Sequence, residues 1–132
     1  MPKFTLKVLT DFASAHTLRD YPGDCARLHG HNWKVEAEVE ASQLDRLGMA
    51  VDFKTIKGLA REIAGQLDHQ YLNDLEPFRD VNPTAENIAQ WFFREMAARL
   101  DAPNVRVSAI TLWETERACV RYSEDQSKDS AL

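Results

Sequence analysis

The stretch His29-Gly30-His31-Asn32-Trp33-Lys34-Val35-Glu36-Ala37-Glu38-Val39-Glu40 decides the fold. From Trp33 onward, Trp33, Val35, Ala37 and Val39 alternate with Lys34, Glu36, Glu38 and Glu40. Successive strand residues point to opposite faces, so the alternation predicts a β-strand with one apolar and one charged face.

A second strand precedes it. Phe4, Leu6 and Val8 alternate with Lys3, Thr5 and Lys7, and Phe12, Ser14 and His16 continue the even-numbered register if no bulge intervenes. Between the two strands, Asp20-Tyr21-Pro22-Gly23-Asp24 reads as a loop. Beyond Glu40, a polar turn over Gln43 to Gly48 leads to Asp52, a cap for a helix with apolar positions Phe53, Ile56, Leu59, Ala60, Ile63 and Leu67. Thr84 caps a second helix, with Ile88, Trp91, Phe92, Met96 and Leu100 as its stripe, ending near Asp101-Ala102-Pro103. Val105 to Glu114 and Arg117 to Tyr122 read as a hairpin, turning near Thr115-Glu116.

The order ββααββ predicts an α+β fold: an antiparallel four-stranded sheet with both helices on one face. One domain over residues 1–122 and a polar tail over 123–132 account for the chain. Such a sheet has open edges, so pairing with further copies is expected.

The composition, 44% hydrophobic and 28% charged over 132 residues, is that of a soluble globular protein. No apolar run approaches the roughly 20 residues that span a bilayer, and a net charge of -5 argues against nucleic acid as a partner. Met1-Pro2-Lys3-Phe4-Thr5 lacks the apolar core of a secretory signal, so a cytoplasmic protein is expected. Cys25 and Cys119 form no CxxC pair, which disfavours a disulfide framework or a cysteine-rich zinc module.

Chemistry concentrates around the histidines. His29 and His31 project from the same strand face, their side chains starting about 6 to 7 Å apart, a separation from which two imidazoles can converge on one zinc ion. His16 supplies a third ligand if the first two strands pair, leaving an open position of the catalytic kind. The same spacing also describes polar residues at a strand start, and spacing alone does not separate the two readings. Cys25 sits in a loop near Arg27, a setting that favours a thiolate, although buried cysteine is the commoner case. Cys119, in an apolar strand, is expected in the core. Asp68 stands beside His69; the two side chains can pair only where the backbone leaves helical geometry, and the alternative is an exposed helix-terminal histidine. Glu114 at a strand end can accept two hydrogen bonds from a guanidine-like edge of a heterocycle, or be solvated.

Taken in order, Ala13-Ser14-Ala15-His16, Cys25-Ala26-Arg27-Leu28-His29-Gly30-His31-Asn32, Val51-Asp52-Phe53, Leu67-Asp68-His69-Gln70-Tyr71-Leu72-Asn73, Asn82-Pro83-Thr84-Ala85-Glu86-Asn87 and Trp113-Glu114-Thr115 make the chain resemble the 6-pyruvoyl-tetrahydropterin synthase and 6-carboxy-tetrahydropterin synthase family. The resemblance covers nearly everything before the tail. It implies the tunnelling T-fold, with three subunits joining their sheets into a barrel, two trimers stacking as a homohexamer, and active sites between subunits. It further implies Zn2+ on His16, His29 and His31, a catalytic set of Cys25, Asp68 and His69, Glu114 as anchor of the pterin ring, and Thr84 and Glu86 lining the pterin pocket. The compact Cys-x-x-x-His-Gly-His spacing is similar to that of the bacterial 6-carboxy enzymes. That implies conversion of 7,8-dihydroneopterin triphosphate to 6-carboxy-5,6,7,8-tetrahydropterin, acetaldehyde and triphosphate in queuosine biosynthesis. Alternatives are a 6-pyruvoyl-tetrahydropterin synthase and a non-catalytic, zinc-stabilised pterin-binding protein.

Overall fold

The computed structural model describes residues 2–125; within that span the side chain of Cys25 lies outside the description, as does the tail from residue 126 onward. β1 (Phe4–His16) and β2 (His29–Ala41) pair antiparallel without interruption from Phe4↔Ala41 to His16↔His29. The absence of a bulge carries the even-numbered register of β1 through to His16. α1 (Phe53–Gly65) begins at Asp52, whose side chain accepts the Lys54 N–H, and α2 (Ala85–Leu100) begins at Thr84, whose hydroxyl accepts the Asn87 N–H. β4 (Val105–Thr115) and β5 (Ala118–Tyr122) close the sheet as a hairpin around Glu116 and Arg117.

The predicted α+β architecture holds, with one addition. Between the helices, β3 (Gln70–Tyr71) lies parallel to β1 opposite Ser14 and Ala15, giving a five-stranded sheet in the order β3-β1-β2-β4-β5. Two residues carry too little pattern to announce a strand. β3 is fixed instead by a side chain: Asp68 Oδ1 accepts the Ala13 N–H at 2.8 Å, and the His69 N–H donates to the Ala13 carbonyl at 2.6 Å.

Both helices cover one face. Val8, Phe12, Trp33, Val35, Ala37, Val39, Ile110 and Leu112 meet Ile56, Ala60 and Ile63 of α1 and Ile88, Phe92 and Met96 of α2 in one continuous core. Each fully buried aliphatic side chain there contributes roughly 1.5–3 kcal/mol through removal from water. Among the described residues no helix covers the opposite face, which bears Lys7, Lys34, Glu36, Glu38 and Glu40. Glu38 is nonetheless 93% buried, because Arg121 lies over it in a bidentate pair at 2.9 and 3.2 Å. Opposite Glu38 the β2–β4 register slips by one residue, and the extra residue, Ser108, donates its hydroxyl to the Glu38 carbonyl at 3.2 Å.

Two positions depart from the sequence reading. Phe53 opens α1 but is 56% exposed. Cys119 is exposed, not core: it pairs with Trp113 on the edge strand β5, and its side chain falls on the uncovered face. Among the described residues no helix is long and apolar enough to cross a membrane.

Candidate functional site

The β1–β2 pairing that ends at His16↔His29, with His31 opposite Ser14, sets three imidazoles on the helix-covered face at one end of the sheet. Their ligand nitrogens all lie within 4.8 Å of one another, and the ring centroids are 4.5, 4.9 and 5.3 Å apart. Trp33, fully buried, forms the floor, edge-on to His16 at 5.2 Å and to His31 at 5.1 Å.

Hydrogen bonding fixes the tautomers. His16 Nδ1 lies 2.7 Å from the Pro83 carbonyl and His29 Nδ1 lies 2.7 Å from the Arg27 carbonyl. A carbonyl only accepts, so each Nδ1 carries a proton, and in its neutral form each ring turns a bare Nε2 inward. Those two Nε2 atoms stand 2.9 Å apart. Two lone pairs at that distance repel unless a cation lies between them. His31 Nε2 is buried with no hydrogen-bond partner at all, a costly state for a polar atom. Three inward, unsatisfied imidazole nitrogens fit a tetrahedral ion, for which ligand nitrogens sit about 3.3 Å apart at bond lengths of 2.0–2.1 Å. Burial, with His29 nearby and the Pro83 carbonyl opposing, holds His16 below the ordinary imidazole value of 6.5. Burial also lowers His31, with Glu114 opposing and His29 adding to the shift. Both shifts favour the neutral, metal-binding form.

Glu114, near the end of β4, places Oε1 3.9 Å from His31 Nε2, too long for a hydrogen bond. It also lines a cavity of about 640 Å³ shared with Arg19, Asn82, Thr84, Glu86 and Cys119. This volume is in the range of small-molecule sites. A hollow of similar size, about 660 Å³, lies at the other end of the sheet beside Lys3, Glu40 and Asn104; it touches none of the four histidines. No histidine lines either hollow; the Glu114 cavity is the one joined to the cluster, through Glu114 itself, whose carboxylate stands 3.9 Å from His31 Nε2.

Asp68 and His69 are placed elsewhere. α1 has ended at Gly65, His69 has φ 56°, a left-handed conformation, and Asp68 Oδ2 meets His69 Nδ1 at 2.8 Å. The departure from helix that this pairing requires is therefore present. The Ala13 amide and then His69 hold the Asp68 carboxyl below its ordinary range. The pair lies beyond the outer edge of β1, with the His69 side chain 83% exposed. Among the described residues, no hydrogen bond or ion pair joins it to His16, His29, His31 or Glu114. Cys25 belongs to a 3-10 turn, Asp24–Ala26, four residues before His29, and its side chain lies outside the description. Asn82 and Pro83 stand in the sequence only as part of a motif, with no role attached, and Arg19 carries no pattern at all, yet the three hold the rim of the cavity to the end of β1; an Asn-Pro pair directly before a helix cap is the available signal.

A T-fold sheet with a three-histidine cluster at one end and a carboxylate-lined cavity beside it defines the class. The 6-pyruvoyl tetrahydropterin synthase family model matches residues 5–125, and the chain belongs to that family. Curated relatives named 6-carboxy-5,6,7,8-tetrahydropterin synthase include those of Synechocystis sp., 34% identical over 84% of this chain and 86% of the relative, and Rickettsia typhi, 32% identical over 83% and 93%. Among solved structures, the 6-pyruvoyl tetrahydropterin synthase of Caenorhabditis elegans superposes with a TM-score of 0.83 at 24% identity, covering 95% of this chain and 98% of that one.

Proposed function

We propose that this protein is a zinc-dependent 6-carboxy-5,6,7,8-tetrahydropterin synthase, a carbon–carbon lyase. It converts 7,8-dihydroneopterin triphosphate, with uptake of water, to 6-carboxy-5,6,7,8-tetrahydropterin, acetaldehyde and triphosphate, on the route to queuosine. The observation that carries the reading is the convergence of three bare imidazole nitrogens beside a cavity lined by Glu114. The names of the relatives at 32–34% identity supply the substrate class.

His16, His29 and His31 would hold the zinc ion, which would supply Lewis acidity toward the hydroxyl-bearing side chain of the substrate. The protein's own groups do the rest. Glu114 accepts two hydrogen bonds from the guanidine-like edge of the pterin and so fixes the ring against the metal. Thr84 and Glu86, on the same cavity wall, bound the ring plane. Asp68 holds the proton of His69 on Nδ1, leaving Nε2 free to accept or return one, and Cys25 as thiolate takes a proton near the ring. Because Asp68 and His69 stand at the outer margin of the sheet, where β3 borders β1, and the His69 side chain is 83% exposed, they would serve a site completed by a neighbouring copy, as in a homohexamer of two stacked trimers.

Two other readings share the scaffold. A 6-pyruvoyl-tetrahydropterin synthase would retain the three-carbon side chain, whereas the compact Cys25-to-His29 spacing favours its loss. A non-catalytic, zinc-stabilised pterin binder would use the same histidines. Incubating purified protein with dihydroneopterin triphosphate and weighing the products decides among them: 6-carboxytetrahydropterin with acetaldehyde supports the proposal, 6-pyruvoyl-tetrahydropterin supports the first rival, and unchanged substrate the second.

A further inference from the structure

Two asparagines prolong the outer edge of β1 past its last paired residue. Asn73 Oδ1 accepts the Thr17 N–H at 2.9 Å while its Nδ2 donates to the Thr17 carbonyl at 3.0 Å. Asn82 does the same for Arg19, at 2.8 and 3.0 Å. Thr17 and Arg19 are alternate residues, so both clamps lie along one edge. Each amide stands where the backbone of an adjoining strand would stand in a ladder.

The two clamps differ in what they are attached to. Asn82 is followed by Pro83, whose carbonyl takes the His16 Nδ1 proton at 2.7 Å, and the proline ring removes one backbone freedom between them. From the helix side, Asn87 Nδ2 donates to the Asn82 carbonyl at 2.9 Å and the Asn87 N–H to Thr84 Oγ1 at 3.1 Å. The Arg19 guanidinium adds bonds to the carbonyls of Phe78 at 2.8 Å and Val81 at 3.1 Å. The Pro83 carbonyl is thereby pinned from both neighbours, and Asn82 and Thr84 also line the cavity beside Glu114.

The geometry points to Asn82 as a positioning residue for the metal ligand His16: it places the Pro83 carbonyl, which fixes the tautomer and ring angle of His16, and it ties the metal cluster to the wall of the substrate cavity. The inference rests on reading the three histidines as a zinc centre. Outer partners of a metal-binding imidazole are worth about 10- to 100-fold in metal affinity.

The test compares wild type with Asn82→Ala, Asn82→Asp, Asn87→Ala and Asn104→Ala. Zinc affinity is read by chelator competition, and the visible spectrum is read on the cobalt(II)-loaded chain. Asn104 is the control, an asparagine that binds Ser42 and Gln43 at the opposite end of β2. Asn82→Ala is expected to weaken zinc about 10- to 100-fold and to change the cobalt bands, and Asn82→Asp and Asn87→Ala to do so less. Asn104→Ala should lower the melting temperature while leaving affinity and spectrum unchanged. Wild-type affinity and spectrum in the Asn82 variants would overturn the inference, and so would an equal loss in Asn104→Ala. If Asn82→Ala does not fold, Asn82→Asp and Asn87→Ala give the same two readouts. A wild-type chain that takes up no metal refutes the zinc reading beneath the inference and brings both down, a result distinct from zinc binding that is indifferent to Asn82.

Discussion

His16 Nε2 and His29 Nε2 face each other across 2.9 Å while each ring donates its Nδ1 proton to a backbone carbonyl. Neutral rings so oriented cannot hydrogen-bond to each other, so purified protein is expected to carry one zinc per chain. Chelation should abolish turnover while the far-ultraviolet circular dichroism is retained, because the core beneath the cluster is closed by Trp33 and Phe12 without the metal. Metal analysis and the spectrum before and after chelation check this; unfolding on chelation would mark a structural ion instead.

Glu114→Gln keeps the shape of the carboxylate and removes its charge. With Glu114 as ring anchor, kcat/KM should fall about 10- to 100-fold, or ~1.4–2.8 kcal/mol of transition-state stabilisation, with zinc content unchanged. Steady-state kinetics beside metal analysis separates this from damage to the cluster, from which Glu114 is 3.9 Å distant.

Asp68→Asn retains an acceptor for the Ala13 amide but no longer dictates which His69 nitrogen carries the proton. A fall in kcat of about 100-fold or more is expected, within the range for general acid–base groups. Zinc binding should be untouched, since the pair makes no bond to the metal ligands. The check is kcat on fully zinc-loaded protein.

Arg121→Met should destabilise the fold by about 1 kcal/mol at neutral pH, a figure held down by the half-exposed guanidinium, because it removes both charge-assisted hydrogen bonds to the Glu38 carboxylate. The pH dependence has a definite sign. Hydrogen bonding from Arg121 holds Glu38 below its ordinary value of 4.5 in the folded chain, so the unfolded chain binds more protons in that region. The stabilisation is complete above 4.5 and is lost as pH falls through the lowered folded value. Urea midpoints of wild type and Arg121→Met at pH 7 and pH 4 should therefore differ at the first and converge toward the second.

Much of this was legible in the sequence because it depends on local periodicity. The alternation from Trp33 to Val39 and the helical stripes led by Ile56 and Ile88 are set by which side of one element faces the core, and the caps at Asp52 and Thr84 are single-residue chemistry. Cys119 was misplaced because an apolar strand pattern does not say whether the strand lies at an edge. β3 was invisible because its position is set by Asp68 reaching across 55 residues to Ala13. The histidine cluster was readable as a spacing, but the Nδ1 partners that orient the rings are carbonyls of Pro83 and Arg27, and main-chain atoms leave no mark in residue identity.

A histidine at φ 56° is poorly suited to the conformation it occupies. The left-handed region disfavours residues with a Cβ by roughly 1 kcal/mol, a penalty glycine escapes. Position 69 thus holds a side chain at the expense of robustness, and His69→Gly should melt no lower than wild type while losing the imidazole. Thermal tolerance and turnover would then move in opposite directions at this one residue, the signature of a position selected for its chemistry and not for its contribution to folding.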